Sequence, residues 1–378
     1  MNLWESDCQY ALVMLEKLGS APAAPYFEEQ VLALISQECD DLGLKLTHDP
    51  FGNIIVERPG LDKAATGMAF VAHLDHPGFE VISRKHNVLI ARTLGGVPKK
   101  SLDAGVGVSV ICADGSRVSG VVTGPHGDPG AREVTIEIDT DPVGELPLPV
   151  VFDLPDYVLD EKTIYMRALD DLAGCAAALT VMRSAVESNS PGAVFGLFTR
   201  AEELGLIGAR LIADQRLIPK DTIIISIESS RSLPGAEIGR GPVIRVGDAQ
   251  RTFDQSAEAY LISARDRLID RSCGGFYAQR QLMSGGTCEA SAFGAYGYPV
   301  TGLAFPLGNY HNEAPDGDIA CEYIDKKDFE FGVALLLETA TLAGTLATVA
   351  KIDRLVTLPV PEANRLKARA LDEHAGRR

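Results

Sequence analysis

The run Ala193-Val194-Phe195-Gly196-Leu197-Phe198, followed two residues later by Ala201-Glu202-Glu203-Leu204-Gly205, decides how the chain is read. A short apolar run bounded by polar residues reads as a buried strand. In open α/β sheets, ligands gather at the carboxyl ends of such strands. Two adjacent carboxylates at that place suggest that one holds a metal and the other handles a proton. Residue type and spacing leave open which does which, and the remaining ligands must come from elsewhere in the chain.

Outward from this point the pattern repeats. Strands are expected over 68–74, 163–169, 222–227 and 298–305. Helices are expected over 6–18, 26–43, 172–186, 203–213, 257–267 and 327–350. Strands that alternate with helices imply a mainly parallel, mixed sheet covered on both faces, an α/β/α sandwich. Leu44–His48 and Asn53–Glu57, joined by Asp49-Pro50-Phe51-Gly52, read as a hairpin. Between Phe79 and Leu159 the helical period vanishes. Short alternating runs are separated there by turn signals such as Gly95-Gly96, Asp114-Gly115 and Pro147-Leu148-Pro149. This segment reads as a small inserted β-barrel. The expected organisation is a discontinuous catalytic domain, 1–77 and 162–378, interrupted by a barrel domain, 78–161. The charged tail after Lys351 reads as a weakly helical surface appendage.

Composition limits the functions available. The chain has 378 residues, 46% of them hydrophobic and 23% charged, as in a soluble globular protein. Its formal charge of −17 argues against nucleic acid or an anionic membrane as a partner. The greasy stretch 331–350 carries Glu338 and several threonines and reads as a core helix. Seven scattered cysteines without a Cys-x-x-Cys suit reduced thiols in a cytoplasmic protein. The acidic start lacks the basic-then-apolar pattern of a secretory signal. No Gly-x-Ser-x-Gly or nucleotide-binding fingerprint occurs.

Each of the expected strand ends carries a metal-ligand type of side chain. His73 and Asp75 stand two apart after the first, where a carboxylate can fix the imidazole tautomer. Asp170-Asp171 follow the second, Glu202-Glu203 the third and Glu228 the fourth; His311 lies shortly after the fifth. If these ends share one edge, two histidines and three carboxylates can hold two divalent ions, with one carboxylate shared. Mixed imidazole and carboxylate donors suit zinc, with cobalt or manganese as alternatives.

The order His-x-Asp, Asp-Asp, Glu-Glu, Glu, His resembles the co-catalytic metallopeptidases. It is most similar to the M42 group of glutamyl and tetrahedral aminopeptidases. The resemblance covers nearly the whole chain. It includes Phe51-Gly52-Asn53, Ala72–Phe79, Gly95-Gly96-Val97, Ala168–Asp171, Glu202–Ala209, Gly285-Gly286-Thr287 and Tyr310-His311-Asn312. It implies that His73, Asp170 and Glu228 hold one metal, and Asp170, Glu203 and His311 the other. It makes Glu202 the general base beside a metal-held hydroxide, and Asp75 the residue that orients His73. It implies cleavage of N-terminal residues from peptides, and a homo-oligomer from dimer to dodecamer in which the barrel takes part.

The chain also departs from that pattern. His76 stands where the family usually has Glu, Leu172 for Arg, Glu228 for Asp, and Cys288-Glu289 where Asp-Ala is usual. His76 reads as a surface loop residue and Cys288 as a buried inert thiol. Two other functions compete with the aminopeptidase. One is an amidohydrolase or deacylase of the M20 type on the same ions, against which the β-rich insertion argues. The other is an inactive homologue serving as an assembly scaffold, against which the intact ligand set argues.

Overall fold

The computed structural model describes residues 4–128, 130–345 and 357–375. Its centre is the strand Met68–His73 (β3), preceded by the hairpin Lys45–His48 (β1) and Ile54–Arg58 (β2). Every residue of β3 is buried. Met68, Phe70 and Ala72 enter the larger apolar core on one face, while Ala69 and Val71 enter a second core on the other. A strand covered on both faces must be apolar throughout, which is why the run carries no polar alternation.

The barrel follows. Its strands are Gly78–Lys85 (β4), Val88–Leu94 (β5), Gly107–Ile111 (β6), Arg117–His126 (β7), Glu133–Ile138 (β8) and Leu148–Phe152 (β9). They close in the order β4-β5-β8-β7-β6-β9. Alternate residues such as Phe79, Val81, Leu89, Ala91, Ile136 and Phe152 fill the interior. Register shifts after Val81 and Val122 bend the strands that must curve to close.

Beyond the barrel come Val158–Leu159 (β10), Thr163–Met166 (β11), Val194–Thr199 (β12), Ile223–Arg231 (β13), Val243–Arg245 (β14), Gln279–Gln281 (β15), Val300–Leu307 (β16) and Glu322–Asp325 (β17). The main sheet has the order β1-β2-β12-β3-β13-β16-β14-β15. Its central strands β12, β3, β13 and β16 are mutually parallel. The helices are Glu5–Gly19 (α1), Glu29–Asp41 (α2), Leu172–Ala185 (α3), Ile207–Gln215 (α4), Gln255–Arg271 (α5), Glu289–Ala295 (α6), Lys326–Ala340 (α7) and Val360–Ala375 (α8). Helices α1, α2, α3, α5 and α7 contribute to the larger core, and α4 and α6 to the smaller one. This is the expected α/β/α sandwich with a barrel.

Four expectations change. The strand over 163–169 is shorter and lies outside the main sheet, in a separate sheet of order β10-β11-β17. The helix over 203–213 is a single 3₁₀ turn, Glu202–Leu204, followed by α4. Ala201, Gly205 and Leu206 adopt positive φ, which no continuous right-handed helix permits. The strand over 222–227 continues to Arg231, because β16 pairs with it as far as Leu307. The last core helix stops at Ala340. Gly344, at φ +78, turns the chain where a Cβ would come within 2.2 Å of the Gly192 nitrogen. Residues 346–350 of that expected helix lie outside the described residues. Helix α8, exposed over residues 360–369, is the appendage expected of the tail.

Among the described residues, no helix is long and apolar enough to cross a membrane. All seven cysteines are free, and five of them are buried.

Candidate metal centre

Five segments bring the expected side chains together: His73, Asp170, Glu202, Glu203 and Glu228 line one cavity, and His311 stands against Asp170 and Glu203. β3 ends at His73, and its ring is buried. Its Nδ1 lies 3.0 Å from the Asp75 backbone oxygen and 3.8 Å from the Asp75 carboxylate. The tautomer is therefore set by the Asp75 carbonyl and not by the Asp75 carboxylate that the sequence suggested. The chain leaves extended geometry after His73, so the same-face rule for i and i+2 lapses there. The Asp75 carboxylate instead accepts the backbone N–H groups of Glu202 (2.9 Å) and Glu203 (3.1 Å). It anchors the 3₁₀ turn that presents both glutamates.

Asp170 arrives from the small sheet, on the loop between β11 and α3. Asp171 caps α3 by accepting the Gly174 N–H. The N–H groups of Leu169 and Asp170 both donate to Glu322 Oε2, and that of His311 donates to Glu322 Oε1. A single buried carboxylate on β17 thus fixes two site segments.

The two oxygens of Asp170 face different imidazoles. Oδ1 lies 3.3 Å from His73 Nε2, and Oδ2 lies 3.7 Å from His311 Nε2. Glu203 Oε1 is 3.0 Å from His311 Nε2, and Glu202 Oε2 is 4.0 Å from His73 Nε2. Ligand atoms of His73, Asp170 and Glu203 all lie within 4.8 Å of one another. Glu228 is outside that trio but lines the same cavity of about 300 Å³. It sits within β13 rather than at its end. Ser226 Oγ donates to it, and Arg245 Nη1 stands 3.9 Å away.

The electrostatics fit a cation. Burial pushes Glu202 well above the usual carboxyl range, and Glu203, Glu228 and Asp75 add to the rise against the pull of His73. Burial likewise raises Asp75 and Glu228 to about 7 each. At His73, burial works downward, but the Glu202 and Asp170 carboxylates outweigh it and raise the imidazole well above its usual value. His311 rises to about 9 in the same way, chiefly through Glu203. The cluster holds protons because it concentrates more negative charge than its side chains neutralise. Asp170 Oδ1 and His311 Nε2 are buried without a hydrogen-bond partner. Orphaned donor atoms, imidazole nitrogens and carboxylates together suit a divalent transition ion.

Several residues of the site were not expected. His76 is buried, not a surface residue: Nδ1 lies 2.7 Å from the Asp170 carbonyl and Nε2 lies 3.0 Å from Asn312 Oδ1. Arg245 is buried against the cavity, with no hydrogen bond to its Nε or Nη1. Glu289 is buried behind the site, where Thr199 Oγ1 donates to it and burial raises it to about 8. Glu322 could have been suspected, since Cys321-Glu322-Tyr323-Ile324 alternates as a strand with the acid on the buried face. Cys288 is buried as expected, and it also lines the cavity.

An α/β/α core with histidines and carboxylates converging at the carboxyl edge of its parallel strands defines a hydrolase of the metallopeptidase class. A family model described as M42 glutamyl aminopeptidase matches residues 143–329. Among solved structures, the dodecamer PhTET1-12s is similar with a TM-score of 0.73 and 26% identity, over 87% of this chain and 98% of that one. The Pyrococcus horikoshii TET1 peptidase, which can assemble into a tetrahedron or a large octahedral shell, gives 0.72 and 25%, over 87% and 99%. Aminopeptidase APDkam598 from the archaeon Desulfurococcus kamchatkensis gives 0.73 and 23%, over 89% and 95%, a likeness of fold. The family-model match and the likeness to the TET peptidases support the M42 peptidase family and a peptide-hydrolysing enzyme.

Proposed function

We propose that this chain is a two-metal aminopeptidase that removes N-terminal residues from peptides. The observation that carries the reading is Asp170, whose two carboxylate oxygens face different imidazoles. In this reading Asp170 is shared, His73 and Glu228 complete one ion's protein ligands, and Glu203 and His311 complete the other's. Zinc is the best match to these donors, with cobalt or manganese as alternatives. Bound there, such ions polarise a carbonyl and make water a nucleophile near neutral pH.

The chain's own groups do the rest. Glu202 lines the cavity beside His73, and its elevated proton affinity suits a group that takes a proton from water and returns it to the leaving amine. The acidic cavity favours a substrate that carries a protonated α-amine. Asp75 holds Glu202 and Glu203 in place through their N–H groups. We read residues 78–161 as an inserted unit within a catalytic domain of 1–77 and 162–378. The printed assemblies of the PhTET1-12s and P. horikoshii neighbours favour a homo-oligomer here, and the unpaired thiols favour a cytoplasmic setting.

Glu202→Gln tests the assignment. Its kcat is expected to fall by about 10²–10⁴-fold while metal content stays that of the unmodified chain. Full turnover in this variant would rule out Glu202 as the base.

A further inference from the structure

The two imidazoles of the site are oriented by the same device from different parts of the chain. His73 Nδ1 meets the backbone oxygen of Asp75, two residues away. His311 Nδ1 meets the backbone oxygen of Gly96 at 3.0 Å, across 215 positions of sequence. Gly96 belongs to the turn that leaves barrel strand β5. A carbonyl oxygen only accepts, so the proton must sit on Nδ1. In the neutral ring that binds a metal, Nε2 is then left with its lone pair toward Asp170 and Glu203.

The geometry points to Gly96 as a positioning residue for His311, so that the barrel completes the metal centre instead of serving assembly alone. This inference rests on the two-ion reading above. A Cβ at Gly96 would lie 2.9 Å from His311 Nδ1 and 3.1 Å from its Cε1. At Gly95, which has φ +78, a Cβ would lie 3.1 Å from the Glu203 Cβ. The two glycines therefore let the barrel backbone lie directly against both ligands assigned to one ion. Tyr310 stacks on a face of the His311 ring, with centroids 3.8 Å apart. The turn is held in turn by the rest of the chain. Lys100 Nζ pairs with Asp318 at 2.6 Å, Arg132 donates to the Gly95 oxygen, and Ile319 packs on the barrel core. Lys100–Asp318 and Ile319 thus join the loop after His311 to the barrel, and Arg132 ties the turn after β5 to the barrel itself.

Zinc titration in competition with a chromogenic chelator, on the full chain, tests the inference. The unmodified chain is expected to bind two ions. Gly96→Ala should bind the first as tightly and the second about 10–100-fold more weakly, the usual effect of losing a group that orients a metal-bound histidine. Gly130→Ala, at a barrel glycine with open space around it, should match the unmodified chain. In a His311→Ala background, Gly96→Ala should cost no further affinity, because the ring it disturbs is gone. A Gly96→Ala variant that binds both ions as tightly as the unmodified chain would overturn the inference. So would an equal loss with and without the imidazole. Should Gly96→Ala alone fail to fold, the double variant decides. Its folding supports a clash with the ring, and its failure shows that the glycine serves only the turn. An unmodified chain that takes up fewer than two ions would instead overturn the two-ion reading itself.

Discussion

Glu289 shows how one buried side chain ties the site to the stability of the whole protein. It lies at the start of α6 with no exposed surface, and burial raises its carboxyl to about 8. Between the ordinary carboxyl range and about pH 8, the folded chain keeps a proton that the unfolded chain has released. Stability from this group is therefore greatest on the acid side and falls as pH rises toward 8. Glu289→Gln stays neutral throughout. In the metal-stripped protein it should flatten that fall, leaving the variant several °C more stable than the unmodified chain at pH 8.5, since ~1 kcal/mol moves the midpoint by roughly 2–4 °C at moderate chain length. Melting curves from pH 5 to 9 that stay parallel for the two proteins would contradict this. Residues of this kind were not legible in the sequence. His73, Glu203 and His311 could be found because they stand at or just beyond strand ends. His76, Arg245 and Glu289 look like ordinary surface types, and only tertiary burial shows that they face the site.

At the scale of elements, what mattered was how each strand hands its last residues to the cavity. β3, β12 and β16 could be recognised because strands covered on both faces are apolar throughout. The small sheet could not be anticipated, since the four residues of β11 read as a strand in either sheet and their pairing with β17 joins positions more than a hundred apart in sequence. The 3₁₀ turn at Glu202 was hidden as well. Its form depends on Asp75 accepting two of its N–H groups, a contact across more than a hundred residues. Asp75→Asn puts an NH₂ group against one of those donors while leaving the core untouched. Zinc affinity and kcat/KM should both fall about 10–100-fold, with the melting curve little changed. A variant with unmodified zinc binding and kcat/KM would show that the turn holds its shape without that carboxylate.

Across the whole molecule, alternation of strands and helices gave the sandwich, and the break in helical period gave the barrel. The convergence of chain segments 73–75, 170, 202–203, 228 and 311 on one site could only be supposed from the sequence, because it needs strand order and parallel direction. The match of the family model to residues 143–329 runs from before β9 into α7 and so takes in most of those segments. In the sequence, only the β-rich insertion bears on the choice between cleavage next to a free α-amine and cleavage of an acylated one. The assembled cavity adds a second observation: four carboxylates, Asp170, Glu202, Glu203 and Glu228, line it.

The most direct test is hydrolysis of a panel of aminoacyl anilides beside N-acyl amino acids, before and after chelation and with zinc, cobalt or manganese restored in turn. We expect turnover of substrates with a free α-amine only, its loss on chelation, and its return with two ions bound per chain. Turnover confined to the N-acyl amino acids, or undiminished activity in the fully chelated protein, would contradict the account.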